Sequence, residues 1–280
     1  MKLRIITALI LAPLVILGIF KLSLTAFMVA LAFITLLGFW EWTQFVGNSS
    51  RMVGLLPGLV VSISSILLVP FDVLSLNTIT FSHIIILSLG FIWWLFASFL
   101  AVTYPKTAVT WNESKIFPHL FGLLTLLPFF WSVVLLRAEG IETSPYHGAK
   151  LVLYVCLIVW AADSGAYFVG KAVGRRKMAP NVSPNKTLEG LFGGIVTAII
   201  VGWVAADWFN LQFSSDALMT VITLITVVIS VLGDLVESMF KRASGIKDSS
   251  NIIPGHGGVL DRVDSLTAAF PVFAFLYFVL

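Results

Sequence analysis

The sequence has little charge and a single cysteine. Only 11% of its 280 residues are charged, against about 25% in an average soluble domain. With 59% hydrophobic residues and a mean hydropathy of +1.01, the chain cannot cover its apolar surface in water, so we expect a lipid bilayer to be its solvent. The one cysteine, Cys156, lies inside an apolar run and excludes an intrachain disulfide and a CxxC metal site.

Common nucleotide-binding and zinc-binding patterns are absent as well. Lys186-Thr187 matches the end of a P-loop, but the glycines that a P-loop requires upstream are missing, and no GxGxxG run occurs. Four histidines and one cysteine are too few for a zinc site. Any phosphate chemistry of this chain must therefore use other residues.

Long apolar runs are the main feature of the sequence. A membrane-crossing helix needs about 20 mostly apolar residues, and nine runs qualify, so we predict an all-α, polytopic integral membrane protein. Only Lys21 and Leu22 separate the first two runs, which leaves open a tight hairpin or one longer, kinked element. The predicted spans are 3–20, 23–46, 53–70, 81–102, 117–137, 149–169, 187–210, 217–236 and 263–280.

The cations are distributed unevenly between the connections. With nine spans, the N-terminus and the even-numbered connections share one side of the membrane, which holds 14 of the 17 lysines and arginines. Lys21, Arg137 and Lys150 lie on the other side. The positive-inside rule therefore predicts a cytoplasmic N-terminus and an external C-terminus.

The first polar segment comprises residues 171–190 and follows the sixth span. Two prolines oppose a continuous helix there, and we expect Ser183 or Asn185 to cap the next helix directly. A helix N-terminus beside Lys186 is a suitable site for an anion. Asp163 lies within the preceding span, where an ionisable group indicates function. An ordinary solvated loop is the alternative interpretation.

The second polar segment comprises residues 234–265 and follows the eighth span. We expect one face of its helix to carry Asp234, Ser238, Lys241 and Arg242, with Glu237 one turn along. Ser244-Gly245 is expected to end this helix. Three glycines around His256 allow consecutive backbone N–H groups to point at one anion.

Carboxylates also open the last span. Asp261 and Asp264 are three residues apart and can face the same way on a helix. Carboxylates, cations and glycines together indicate Mg²⁺ with phosphates, because Mg²⁺ takes one or two protein carboxylates and then substrate oxygens. The alternative is a loop with salt-bridged helix ends. Both polar segments follow even-numbered spans, so we expect them to converge on the cytoplasmic side.

The second segment closely resembles a known family signature. Phosphatidate cytidylyltransferases, also called CDP-diacylglycerol synthases, have a similar run of residues. The matching residues are Ser238-Met-Phe-Lys241-Arg242, Lys247-Asp248 and Pro254-Gly-His256-Gly-Gly258-Val-Leu-Asp261-Arg262-Val-Asp264. Residues Ser183-Pro-Asn185-Lys186-Thr187, with Glu189-Gly190, resemble a second element of the same family.

The resemblance implies a reaction, a metal and a location. CTP and phosphatidic acid would give CDP-diacylglycerol and pyrophosphate, with Mg²⁺ required. The active site would face the cytoplasm from a bacterial inner membrane. The chain would be one membrane domain, 1–280, in which 1–150 supplies helices without a motif and 151–280 supplies the catalytic helices and loops. No nucleic-acid partner is expected, and a second, monovalent cation and a homodimer are left open.

The resemblance also implies roles for individual residues. Asp234 and Asp261 would hold Mg²⁺, with Asp264 and Asp248 as further ligands or supporting partners. The triphosphate and the departing pyrophosphate would bind Lys241, Arg242, Lys247 and Arg262. His256 and the backbone of Gly257 and Gly258 would contact a phosphate. The remaining substrate contacts would come from Asp163, Ser183, Asn185, Lys186, Thr187, Glu189 and Ser238.

Two other functions are compatible with the sequence. An ion-coupled transporter would use Asp163 and Asp234 along an ion pathway. Against it, the charges concentrate in loops on one side and no repeated halves are visible. A CTP-dependent lipid kinase would transfer the γ-phosphoryl group instead of the nucleotidyl group, and its second product would be CDP.

Overall fold

The structure is a computed structural model of the whole chain. It describes residues 2–47, 50–69, 76, 78–114, 116–253, 255 and 257–280, with side chains from residue 9 onward. Within these ranges the chain forms ten helices and one two-stranded sheet. The helices are α1 Lys2–Lys21, α2 Leu24–Val46, α3 Arg51–Leu68, α4 Phe81–Thr103, α5 Ala108–Trp111, α6 Ile116–Ala138, α7 His147–Val173, α8 Leu188–Phe209, α9 Asp216–Ala243 and α10 Leu260–Val279.

The helices confirm the predicted polytopic all-α architecture. Eight helices in the described part of the chain are long and apolar enough to cross a membrane, namely α2, α3, α4 and α6 to α10. The described apolar part of α1 is the shorter stretch Leu9–Lys21. The total of nine spans and the cytoplasmic N-terminus remain predictions.

The first two predicted spans are separate helices. Helix α1 ends at Lys21, and Ser23 begins α2 by accepting a hydrogen bond from Ala26 N through its side chain. Arg137, at the C-terminal end of α6, donates to the carbonyls of Ile19 and Leu22 at 3.0 and 3.3 Å. These bonds satisfy carbonyls at the end of α1, which have no partner within the helix.

The prediction that Ser183 or Asn185 caps the seventh span is wrong. Residues 183–187 form strand β2, which pairs with β1, Lys177–Ala179, in an antiparallel hairpin. Helix α8 begins only at Leu188, and Thr187 caps it by accepting from Gly190 N at 3.1 Å. Backbone pairing within the hairpin keeps these five residues extended, and proline at the second position of β2 is compatible with a strand at a sheet edge.

The last helix begins three residues earlier than predicted. Helix α10 starts at Leu260 rather than near residue 263, so Asp261 lies inside its first turn. The preceding helix, α9, ends at Ala243, and Gly245 follows with a φ of +67°. The expected stop at Ser244-Gly245 is therefore confirmed, since glycine adopts this left-handed conformation readily.

Contacts between helix ends place both polar segments at the same end of the bundle. Arg242, near the end of α9, donates from Nε to the carbonyl of Val182 in the hairpin at 3.3 Å. Trp42, near the end of α2, donates to the carbonyl of Pro118 at the start of α6 at 2.8 Å. At the opposite end, Lys150 donates to the carbonyl of Phe209. The predicted convergence of the two polar segments is confirmed.

Two packing features position this end of the bundle. Helices α7 and α8 approach closely, since a Cβ added at Gly194 would lie 2.7 Å from the carbonyl oxygen of Ala162. Close approach through small residues is typical of membrane helices. On the other side, the ring of Phe240 on α9 packs against Trp42, Phe45, Trp111 and Phe121.

Candidate active site

Lys186 connects the two polar segments directly. Its Nζ lies 2.6 Å from Oδ2 of Asp234 and donates to the carbonyl of Val231 at 3.2 Å. The other carboxylate oxygen of Asp234, Oδ1, accepts from Ser238 Oγ at 3.4 Å. Strand β2 holds Lys186 over α9, and one turn of α9 brings Ser238 beside Asp234.

Asp163 extends the same group of charges toward α7. It lies within electrostatic range of Asp234, Asp264 and Lys186. Asp163 is exposed, whereas Asp234 and Lys186 are half-buried. The predicted functional carboxylate inside the sixth span is therefore brought to the site.

Lys241 belongs to a second, more buried group. Its Nζ lies 2.8 Å from Oδ1 of Asp261 on α10 and 3.4 Å from Oε1 of Glu237 on its own helix. The carboxyl group of Asp264 adjoins that of Glu237 and interacts with Asp234 as well, which links the two groups. The side chains predicted to share one face of α9 therefore lie on two adjacent faces. Lys241 points toward α10, whereas Asp234 and Ser238 point toward the hairpin.

Asp261 accepts hydrogen bonds on both carboxylate oxygens. Besides Lys241 on Oδ1, its Oδ2 accepts from Ser249 N at 2.8 Å, Ser249 Oγ at 2.9 Å and Gly258 N at 2.8 Å. Gly258 was expected to offer its N–H to a phosphate, and this structure gives that N–H to Asp261 instead. The reason is local: Gly258 lies just before α10, where Asp261 in the first turn is the nearest acceptor.

Several predicted cations lie at the exposed rim of the site. Arg242, Lys247 and Arg262 are exposed, as is Asp248 beside them. Arg242 keeps one contact, from Nε to Val182 in the hairpin. These side chains belong to the same polar segment as most of the acidic groups and are exposed, so a polyanion could contact them.

Two of the remaining predicted residues of the first segment, Glu189 and Thr187, have structural contacts. Glu189 accepts hydrogen bonds from the backbone N–H groups of Arg175 and Arg176 and from Nε of Arg176 at 3.2 Å. Its carboxylate therefore orders the chain that enters the hairpin. Thr187 caps α8, Ser183 is half-buried in β2, and Asn185 is exposed.

Two predictions concern residues around the turn before α10. His256 lies outside the described residues. Gly257 has a φ of +83°, and a Cβ there would lie 2.6 Å from Oδ2 of Asp261, so this position requires glycine. Its carbonyl accepts from Ile253 N at 2.8 Å, which closes the turn.

Sequence reasoning missed Glu41. This residue of α2 is completely buried and accepts hydrogen bonds from residues 249, 250, 259 and 260 of the second polar segment. The available signal was a lone carboxylate inside an apolar run, which is costly in a membrane unless it has a purpose.

The site as a whole has more acid than base. Its connected core contains two lysines, Lys186 and Lys241, and five carboxylates. The five are Asp163, Asp234, Glu237, Asp261 and Asp264. No group of three or more histidine, cysteine, aspartate or glutamate side chains is arranged to hold a metal ion within the described ranges. An acidic core with a basic rim is nevertheless suited to binding a cation and a polyanion together.

Comparison with known proteins identifies the family of the chain. Residues 2–280 match the model of the cytidylyltransferase family. The chain is 43% identical to the phosphatidate cytidylyltransferase of Haemophilus influenzae over 99% of both chains. It is 39% identical to that of Pseudomonas aeruginosa over 99% of this chain and 96% of the relative, and 41% identical to that of Bacillus subtilis over 66% of each. The chain belongs to the cytidylyltransferase family.

Proposed function

We propose that this protein is a phosphatidate cytidylyltransferase, which converts CTP and phosphatidic acid into CDP-diacylglycerol and pyrophosphate. The observation that carries the proposal is the junction of the two polar segments, where Lys186 of one pairs with Asp234 of the other. Family membership supports the same reaction, because full-length relatives carry this name.

The reaction needs alignment and charge neutralisation more than covalent help from the protein. An oxygen of the lipid phosphate attacks the α-phosphorus of CTP, a new P–O bond forms, and the bond to the β-phosphate oxygen breaks as pyrophosphate leaves. A phosphate monoester has a second pKa of about 6, so at neutral pH it is largely a dianion and requires no dedicated base.

The basic rim is the proposed triphosphate site. Arg242, Lys247 and Arg262 are exposed around the acidic core, and arginine binds phosphate oxygens through a bidentate fork. In this role they neutralise the charge that builds up on pyrophosphate as it leaves. Lys241 lies deeper, between Glu237 and Asp261, and orients those carboxylates.

The lipid is proposed to arrive along α7. Asp163, Tyr167 and Lys171 follow one another at intervals of four residues on the exposed face of this helix. Lys171 Nζ lies 5.8 Å from the centre of the Tyr167 ring. This stripe leads from the helix end to Asp163, so a phosphate head group moving along it reaches Lys186 while its acyl chains remain in the bilayer.

The residues present fit Mg²⁺ in charge and in ligand type. Five carboxylates meet two lysines, and a hard divalent cation with oxygen ligands relieves such an excess. We propose Asp234 and Asp261 as its ligands, with Asp264 beside them and Asp163 on the exposed side. Asp261 already accepts hydrogen bonds from Lys241 and from backbone donors. Its contribution to Mg²⁺ binding therefore depends on the position of Lys241. Bound Mg²⁺ would neutralise charge on the triphosphate.

The proposed location is a bacterial inner membrane with the active site facing the cytoplasm. The cation-rich connections lie at the site's end of the bundle, and Arg137 and Lys150 lie at the other. This asymmetry supports the orientation through the positive-inside rule. CTP, a cytoplasmic nucleotide, would then reach the rim directly.

The position of the label decides between transferase and kinase. Purified protein in detergent is incubated with phosphatidic acid, Mg²⁺ and CTP labelled at either the α- or the γ-phosphorus. The proposal requires the α-label in the lipid and the γ-label in pyrophosphate. A γ-label in the lipid, with CDP released, would establish a lipid kinase instead. If neither the α-label nor the γ-label enters the lipid, both functions are refuted.

A further inference from the structure

Glu41 lies in the half of the chain without signature residues, yet both of its carboxylate oxygens contact the second polar segment. Oε1 accepts from Ser250 Oγ at 2.6 Å and from Val259 N at 2.9 Å. Oε2 accepts from Leu260 N at 2.6 Å and lies 3.1 Å from Ser249 Oγ, whose single proton it shares with Oδ2 of Asp261. A fully buried carboxylate is stable only with such partners, so these contacts explain how α2 tolerates it.

The four donors come from two parts of the connection between α9 and α10. Ser249 and Ser250 lie in the middle of this loop, which starts after Ala243, and Val259 and Leu260 lead into α10. Glu41 therefore joins the middle of the loop that carries the family signature to its C-terminal end. Gln44, one turn further along α2, donates from Nε2 to the carbonyl of Ser249 and strengthens the same attachment.

Two of the donors are backbone N–H groups at the start of α10, from the capping residue Val259 and from the first helical residue Leu260. These groups have no partner within the helix, and the helix N-terminus carries a partial positive charge that favours an anion. Glu41 thus caps α10 from a different helix. Asp261 and Asp264 lie in the first two turns of α10, so their positions relative to Asp234 on α9 depend on where Glu41 holds that end.

The packing around Glu41 leaves no space for adjustment. A Cβ added at Gly258 would lie 2.1 Å from Ser249 Oγ and 2.6 Å from each carboxylate oxygen of Glu41. Real Cβ atoms do not approach so closely, so the glycine lets the loop close onto Glu41. The contact is therefore built into the signature loop itself.

We propose that Glu41 is a positioning residue for the nucleotidyl transfer. It fixes the middle of the loop at Ser249 and Ser250 and the N-terminus of α10, and through them the register of Asp261 and Asp264 against α9. The inference rests on the proposed function for its effect on turnover, whereas its effect on the loop is independent of that function.

The test compares Glu41→Gln with Thr43→Val. Thr43 is also buried on α2, and its hydroxyl donates to the Trp40 carbonyl within the same helix. Two readouts are needed: steady-state kinetics with CTP, phosphatidic acid and Mg²⁺, and the rate of trypsin cleavage after Lys247 in the folded protein in detergent.

Glu41→Gln is expected to lower kcat on the order of 100-fold, because small misplacements of reacting groups have effects of this size. The Mg²⁺ concentration for half-maximal activity should rise and the KM for phosphatidic acid should stay unchanged, since a general loss of structure would change both. Cleavage after Lys247 should accelerate. Thr43→Val should match the wild type in every readout.

Wild-type kcat and cleavage rate in Glu41→Gln would overturn the proposal, as would a lower kcat with unchanged cleavage. If Glu41→Gln does not fold, Ser250→Ala removes one donor to Glu41 and should shift both readouts in the same direction by a smaller factor; no shift would overturn the proposal. If the wild type forms no CDP-diacylglycerol, the proposed function fails, and the cleavage comparison still decides whether Glu41 holds the loop.

Discussion

Lys186 of strand β2 and Asp234 of helix α9 form an ion pair with 2.6 Å between Nζ and Oδ2. Both side chains are half-buried, so the pair remains accessible to a ligand while it joins the hairpin to the helix. Exposed ion pairs contribute little to stability. The more important consequence is geometric, because the lysine proposed to bind phosphate lies beside the carboxylate proposed to bind Mg²⁺.

Replacing Lys186 with alanine should lower kcat/KM about tenfold or more, since one phosphate-binding cation is lost. Steady-state kinetics with both substrates measures the effect. Lys177→Ala is the matched control, because Lys177 lies on the paired strand β1 and is exposed. Equal rates in Lys186→Ala and Lys177→Ala would assign the hairpin a purely structural role.

Asp261→Asn should abolish turnover while the protein still inserts into the membrane. The amide removes the negative charge that faces Lys241 and turns N–H groups toward the donors from Ser249 and Gly258. Turnover and the amount of folded protein are measured together. Asp207→Asn, an exposed position near the far end of α8, should retain activity. Wild-type turnover in Asp261→Asn would exclude Asp261 as a metal ligand.

Gly258→Ala should impair activity strongly, because its Cβ would meet Ser249 and Glu41. Gly245→Asn provides a contrast within the same segment. Gly245 has a φ of +67° and open space around it, and asparagine tolerates that conformation better than other residues. Specific activity per folded protein distinguishes the two variants. A fully active Gly258→Ala would show that the loop has another way to close.

Labelling of introduced cysteines tests the orientation. Cys156 is buried, so it contributes little background. A cysteine at Lys177 should be protected from a membrane-impermeant maleimide in spheroplasts and react in inverted vesicles. A cysteine at Thr143, between α6 and α7, should show the opposite pattern. Reaction of both positions from the same side would contradict the alternation of helix ends.

Most of the architecture was predictable because hydropathy reports directly on membrane spans. The predicted limits 81–102 and 117–137 differ little from Phe81–Thr103 and Ile116–Ala138. The errors concern polar ends. The strand at Ser183–Thr187 depends on pairing with Lys177–Ala179, and such local pairing leaves no hydrophobic signal in so polar a segment.

The sequence predicted which residues belong to the candidate site better than it predicted the contacts between them. The expected convergence of the two segments brings Lys186 and Asp234 into one site, but their direct ion pair was not predicted. The separation of the α9 side chains into two groups was not predictable, because Lys241 meets Asp261 only through the packing of α9 against α10. The role of Glu41 was not predictable, because it depends on a contact with Ser249, 208 residues away in sequence. No local sequence pattern indicates such a contact.

The attachment of Glu41 makes the motif-bearing half of the chain dependent on the other half. A fragment comprising residues 151–280 would contain every signature residue but would lack the carboxylate that caps α10. Such a fragment should be inactive alone, and separately encoded 1–150 and 151–280 should regain activity when they assemble in one membrane. That result would make the early helices a working part of the enzyme and not merely its anchor.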